Sequence, residues 1–539
     1  MMKKYYKIII YIIIMNFVLS GCVEKKSEEF QTSNKESYLV YDIGEVPESF
    51  SKFNEYNSKS NEILKALFTG LVCEDSNTMQ IKSALAEKWD VSKDKTEYTF
   101  HIKNDAKWSD GTGITASDFV DFFKSILSSK YGNSYAYELR FIYGAKAYNQ
   151  GKADFNDVAI NALDDKTLRI RLNNPCNYFL SILSRPEFTL REFNGSLENW
   201  KKEYKKIKYT GPYTLTNVSE DTLLITKNQN YAMKDEVISN KLKLKFYNKL
   251  TNISAYSITD FDSDTIDMFS NPPTSEIERL KKDNQVKIFP TFNVDAIYFN
   301  LKNSSVTNSV DFRRAISAAI DRKNLIDNLP QGVISPCYNF VDKKIQGNIT
   351  SSDLFGKMDL KEIASELTKS GYANPNKVTV VFEESSLNRK MCQLITDNIN
   401  KNIKDSGANE KINFDLKGYN RKDINEILKK GEYDIYFGQY NIAYNNPESF
   451  LEMWNSNSPF NITGYSNIAY DDFMYSLSVS TDKNKIDEYS RKMYQQLFFD
   501  MPMVPICYKN NMICAKKFIG GISEDKYGAL IISQLKYHK

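Results

Sequence analysis

Within residues 84–119 the chain changes its hydrophobic period, and the order of that change restricts what it can fold into. Residues 98–102 alternate in the two-residue period of a strand, and the stretch from Lys107 through Trp108, Ser109, Asp110 and Gly111 reads as a turn. Thr115, Ala116, Ser117 and Asp118 then open a helix. Thr115 as N-cap and Asp118 three residues later form a near capping box, with Phe119, Phe122, Phe123 and Ile126 as the stripe to be buried. Gly111, Gly113 and Ala116 also spell G-x-G-x-x-A, but a dinucleotide fingerprint needs a buried strand running directly into it. Here polar residues precede the glycines, and a turn followed by a capped helix accounts for them.

The same periods recur along the chain. Residues 61–71 place Ile63, Leu64, Leu67 and Phe68 on one helical face closed by Gly70, and residues 311–326 read as one amphipathic helix carrying Phe312, Ile316, Ala319, Ile320 and Leu325. Strands are expected at 167–172, 223–226, 241–247, 296–300, 378–382, 412–416 and 502–508, and helices at 394–403 and around Tyr489, Met493 and Leu497. A chain of 539 residues exceeds the roughly 250–300 at which one hydrophobic core stops growing, so two or three domains are expected. No internal repeat or low-complexity linker separates the halves. The residues read as mixed α/β built in two lobes.

Charge and residue counts remove several function classes. With 71 basic and 68 acidic residues the chain is close to neutral, and it has no overall field for nucleic acid or an anionic bilayer. The basic run of Lys201, Lys202, Lys205, Lys206 and Lys208 is interleaved with a glutamate and aromatics and reads as a solvated face. None of the seven cysteines forms a C-x-x-C pair, and only His101 and His538 could supply imidazole, so neither metal nor cofactor is expected and a Ser-His or Cys-His mechanism would have to use one of those two. No G-x-S-x-G, H-E-x-x-H or Walker loop is present, and His101 on an alternating strand reads as a structural imidazole. Setting Cys22 aside, the other six cysteines could be disulfides or buried free thiols.

Lys3 and Lys4 precede an apolar run at residues 8–19, the layout of a signal peptide over residues 1–21. Leu19, Ser20, Gly21 and Cys22 then match the lipobox of bacterial lipoproteins, with Cys22 as the lipid attachment site, and residues 22–37 read as a polar tether. The folded body is expected on the outer face of the cell membrane.

The block at 84–119 resembles the signature of family 5 extracellular solute-binding proteins, the oligopeptide and dipeptide receptors of ABC importers. Further blocks agree in order: residues 161–172, Tyr209-Thr-Gly211-Pro212-Tyr213, the helix from Asp311 to Arg322, Asn446-Pro447-Glu448-Ser449-Phe450-Leu451, and the strand at 502–508. The resemblance implies a two-lobed clamshell of the periplasmic-binding-protein type II fold with an extra inserted domain. The base lobe would comprise residues 38–73, 193–293 and 509–539, the insert 74–192 and the second lobe 294–508. It implies no enzyme activity, a monomer, an oligopeptide ligand and ABC permease subunits as partners.

Family peptide binders carry a tryptophan and, three residues on, an aspartate that grips the ligand's amino group, followed by a tyrosine and then a proline. Aligned on Pro447, Tyr444 takes the tyrosine position, Tyr440 the tryptophan and Ala443 the aspartate, and Phe437 stands where an arginine is implied. The ligand-binding set implied is therefore Phe437, Tyr440, Asn441, Ala443 and Tyr444, with Tyr56, Asn57 and Ser58 on a facing loop and Tyr135 from the insert. From the residues alone, the aromatic run from Tyr433 to Tyr444 is equally a packed core or a pocket wall. A signalling peptide or non-peptide ligand, an exported hydrolase and a structural surface lipoprotein remain the alternatives.

Overall fold

Strand, turn and helix form where the period changes. The Gly111 N–H donates to Trp108 O at 2.9 Å, and Gly111 takes a φ of +90°, a region closed to most side-chain-bearing residues. Thr115 Oγ1 accepts the Asp118 N–H at 3.3 Å while Asp118 Oδ2 accepts the Thr115 N–H at 2.7 Å, completing the capping box. Phe119, Phe122, Phe123 and Ile126 are all buried on the inner face of that helix.

The computed structural model describes residues 38–51, 58–247, 253–304, 306–342, 354–355, 359–373, 377–408, 410–440, 442 and 446–538. The expected signal peptide, tether and Cys22 lie outside the described residues, as do Tyr56, Asn57, Asn441, Ala443 and Tyr444 and the side chain of Ser58.

In chain order the body begins with β1 (Val40–Gly44), α1 (Ser58–Leu67), the hairpin β2 (Val72–Glu74) and β3 (Ile81–Ser83), β4 (Ala86–Val91), β5 (Glu97–Ile102), α2 (Ala116–Leu127), β6 (Ile160–Asp164) and β7 (Thr167–Arg171). There follow β8 (Tyr213–Val218), β9 (Thr222–Lys227), β10 (Lys241–Phe246), α3 (Ile253–Asp262), β11 (Met268–Ser270) and β12 (Val286–Phe289). Next come β13 (Val294–Phe299), α4 (Val310–Ala318), α5 (Arg322–Asp327), β14 (Ile334–Pro336), α6 (Leu360–Ser370), β15 (Lys377–Glu383), α7 (Ser386–Asp405), β16 (Asn413–Tyr419), α8 (Arg421–Lys430) and β17 (Ile435–Tyr440). The chain ends with α9 (Glu448–Leu451), α10 (Ile468–Val479), α11 (Lys483–Asp500), β18 (Met503–Lys509), β19 (Asn511–Ala515), β20 (Ile519–Gly520) and β21 (Lys536–Tyr537).

Three sheets carry the architecture. A seven-stranded sheet has the order β12-β19-β11-β1-β10-β9-β8, with β1 parallel to both neighbours and antiparallel strands outside them. A six-stranded sheet has the order β14-β18-β13-β17-β15-β16, with β15 parallel to β16 and β17. A four-stranded antiparallel sheet, β4-β5-β7-β6, packs beneath α2 and shares one hydrophobic core with the seven-stranded sheet, whereas the six-stranded sheet has a core of its own.

Two helix readings are corrected. The helix expected at 61–71 stops at Leu67, because the Thr69 N–H donates to Thr210 Oγ1 at 3.0 Å and Thr69 O accepts from Leu190 N–H at 3.0 Å, which takes both groups out of a helical ladder. The single helix expected at 311–326 is two, α4 and α5. Asp321 breaks it: its N–H donates to Asn398 Oδ1 at 2.7 Å, and its side chain caps α5 by accepting from Asn324 N–H at 3.1 Å.

Candidate ligand-binding site

The chain passes between the two large sheets twice. From β12 it runs through residues 290–293 into β13, and from β18 it passes Asn510 into β19. The two crossings lie side by side: Thr291 Oγ1–H donates to Lys509 O at 2.7 Å and Lys509 N–H to Asn293 O at 2.9 Å. A pair of adjacent connecting strands is the geometry that lets two lobes rotate by small backbone changes.

Away from these crossings, residues around the four-stranded sheet meet the six-stranded unit through a charged bridge. Arg140 Nη2 donates to Glu452 Oε1 at 2.8 Å, and the buried Tyr178 hydroxyl donates to the same oxygen at 2.6 Å. Burial opposes the charge on Arg140, and Glu452 more than restores it, so its pKa stands above the usual guanidinium value. Beside the bridge, the Tyr135 ring lies 5.7 Å from Phe460 and 4.9 Å from the Arg185 guanidinium.

The aromatic strand β17 is core within the described residues. Phe437 and Tyr440 are three residues apart, so their side chains leave opposite faces of the strand. Phe437 pairs with Ile297 and Tyr440 with Val294, and both are buried. The Tyr440 hydroxyl donates to Phe340 O, its ring lies 5.2 Å from Phe450, and burial holds its pKa far above the ordinary tyrosine value. Tyr436 stacks on Tyr298 at 5.6 Å.

A cavity of about 480 Å³ opens between α1, the β2–β3 hairpin, residues 184–189 and the chain end at 523–534. Its wall is charged. Lys65 pairs with Asp525, Lys82 lies 3.5 Å from Asp75, and the Tyr527 hydroxyl donates to Glu74 at 2.9 Å. Arg185 pairs with Glu138 and lies 3.4 Å from Glu187, all three buried. Burial raises the Glu138 carboxyl above its ordinary value, against the opposing pull of Arg185.

Of the expected site residues, Tyr135 lies over Arg185 on the cavity wall without lining the cavity itself, and neither Phe437 nor Tyr440 lines it. The sequence reading missed Arg185 and Glu187. Their signal was two opposite charges around Pro186 within the otherwise uncharged, largely apolar stretch from Phe179 to Leu190, where a charge must be buried and paired. His101 is tied to Asp90, with Nε2 2.8 Å from Oδ2 across β4 and β5. The six described cysteines are free thiols. Among the described residues no cluster of His, Cys, Asp and Glu has metal-binding geometry.

Comparison with known proteins agrees with this arrangement. Residues 80–461 match the model of the bacterial extracellular solute-binding proteins, family 5 Middle. The oligopeptide-binding protein OppA of Bacillus subtilis is 26% identical over 530 residues, covering 94% of each chain, and the dipeptide-binding protein DppE of the same organism is 28% identical over 543 residues, covering 95% of each. The crystal structure of Haemophilus influenzae OppA in complex with RPPGFSPFR superposes with a TM-score of 0.80 at 23% identity, over 93% of this chain and 99% of that one. The fold is thus the two-lobed α/β architecture of type II periplasmic binding proteins with an extra domain. A match spanning most of the chain, carried on two sheets joined by paired strands, makes this protein a member of the family 5 bacterial extracellular solute-binding proteins.

Proposed function

We propose that this chain is a lipid-anchored receptor on the outer face of the cell membrane that encloses an oligopeptide between two lobes and hands it to an ABC permease. The observation that carries this reading is the pair of adjacent crossings at residues 290–293 and Asn510, a two-stranded connection about which the six-stranded unit can turn to admit and enclose a ligand. Relatives named for binding oligopeptides and dipeptides support the ligand class. Cys22 carries the acyl anchor. The base lobe is residues 38–73, 193–293 and 509–539, the insert 74–192 and the second lobe 294–508.

The ligand lies extended, its backbone paired with Tyr56, Asn57 and Ser58 on one side and with Asn441, Ala443 and Tyr444 on the other. Tyr135 stands at the edge of the cleft. Phe437 and Tyr440 act from behind, as packed residues that hold the end of β17.

Ala443 in place of the family aspartate leaves an enclosed ammonium without that partner, and an unpaired buried charge costs on the order of several kcal/mol. The receptor therefore takes peptides whose amino end is blocked, or is met by another acid, or that bind in another register. Calorimetric titration with one oligopeptide, first free and then acetylated at its amino end, tests this on the wild type and on Ala443→Asp. The substitution is expected to tighten binding of the free form about tenfold or more relative to the acetylated form. Equal affinities for both forms in both proteins would contradict it, and absence of binding by any oligopeptide would remove the peptide reading itself.

A further inference from the structure

The two units also meet away from the paired crossings at residues 290–293 and Asn510, where a rotation about those strands moves them most. The meeting is a charged bridge flanked by single apolar side chains. Phe460 of the six-stranded unit packs against the core shared by the other two sheets, 5.7 Å from Tyr135, and Met79 of the β2–β3 turn packs against the six-stranded core. The two cores remain separate clusters, so parting the units here opens no continuous apolar seam.

One side of the bridge is built without help from the other. Arg140 lies on a 3₁₀ helix at Ser134–Phe141, its guanidinium 4.1 Å from the Tyr137 ring and 4.2 Å from the Phe141 ring. Its Nη1 donates to Tyr137 O at 3.1 Å, and its own carbonyl accepts from Asn173 Nδ2 at 3.0 Å. Tyr178 packs edge-on against Phe141 at 5.6 Å. These contacts all lie within one unit, and they aim a guanidinium N–H and a phenol O–H at a single point. Glu452 Oε1, from the segment just after α9 in the other unit, accepts both, at 2.8 Å and 2.6 Å. Donors already held in place lose little freedom when the acceptor arrives, and hydrogen bonds to a carboxylate are among the strong ones.

We propose that Arg140 and Tyr178 form a socket that latches the six-stranded unit closed through Glu452, and so sets how long a bound peptide is held. The proposal rests on the peptide-binding reading above. A latch that touches no ligand raises the affinity for every ligand by one common factor, because apparent affinity scales with the population of the closed form. Removing one charge does more than undo the latch. With methionine at position 140 the Glu452 carboxylate, 7% exposed, loses that cation in the closed form and regains water by opening.

Binding kinetics of two oligopeptides of unrelated sequence, each free and acetylated at its amino end, test this on the wild type, Arg140→Met, Glu452→Gln, the double variant and Tyr178→Phe. Arg140→Met is expected to weaken every peptide that binds the wild type by one shared factor of about ten to a hundred, carried mainly by faster dissociation. The double variant, with neither charge, should recover part of that loss. Cooperative melting shows which variants fold. Tyr178→Phe keeps the ring and both charges and carries the test alone where a charge variant does not fold; it should weaken every peptide about threefold to tenfold. Unchanged affinities in Arg140→Met and Tyr178→Phe, losses that differ from peptide to peptide, or a double variant as weak as the product of the two single losses would overturn the latch while peptide binding stands. If none of the peptides binds the wild type, the peptide-binding reading falls first and the latch with it.

Discussion

Glu448, the residue after Pro447, is buried with Oε2 unpartnered, and burial together with the nearby Glu452 charge raises its carboxyl from 4.5 to about 7. Between these values the folded protein holds a proton that the unfolded chain has released. This group therefore contributes less to stability as pH rises through the window, and its effect levels off above about pH 7. Glu448→Gln removes the dependence. Compared with the wild type by urea unfolding, the variant should gain about 2 to 3 kcal/mol between pH 5 and pH 8. A difference between the two proteins that does not change with pH would show that Glu448 is ionised and satisfied in the folded state. Charges of this kind are hard to read from sequence. Glu448 stands among polar residues and looks exposed, and only the packing of Tyr494 and Glu452 around it shows otherwise.

At the scale of elements, Gly211 explains part of a motif that the sequence could only match. A Cβ at this position would lie 2.5 Å from Leu67 C and Phe68 N, at the end of α1, while the Gly211 N–H donates to Leu67 O at 2.9 Å. Gly211→Ala must push backbone against backbone and should cost about 1–3 kcal/mol in unfolding free energy, with α1 displaced. An unchanged melting curve would show that the contact relaxes freely. Elements with strict periods were legible: α2 with its Thr115 cap, β5, β10 and β15 form where alternation or a helical stripe predicts them. The break between α4 and α5 was not, because the helical stripe runs through it and the interruption comes from Asn398, far along the chain. Likewise the aromatic run in β17 could not be divided into core and pocket by composition. Once it is a strand, the three-residue step from Phe437 to Tyr440 sends the two rings to opposite faces.

At the scale of the whole molecule, two adjacent strands join the two sheet units, and Arg140 and Tyr178 on Glu452 hold them together away from that hinge. The two-lobed α/β class was legible from the order of strands and helices, because period and length alone demand more than one core. The charged cavity was not, since Lys65, Glu74, Arg185, Glu187 and Asp525 come together only when distant segments pack. Enclosure of an oligopeptide between the lobes is tested by native mass spectrometry of the full chain purified from a peptide-rich medium. The expected result is a ladder of bound masses spaced as peptides of differing sequence, displaced by added oligopeptide. A protein that carries no bound mass, and whose melting temperature does not move when oligopeptides are added, would contradict it.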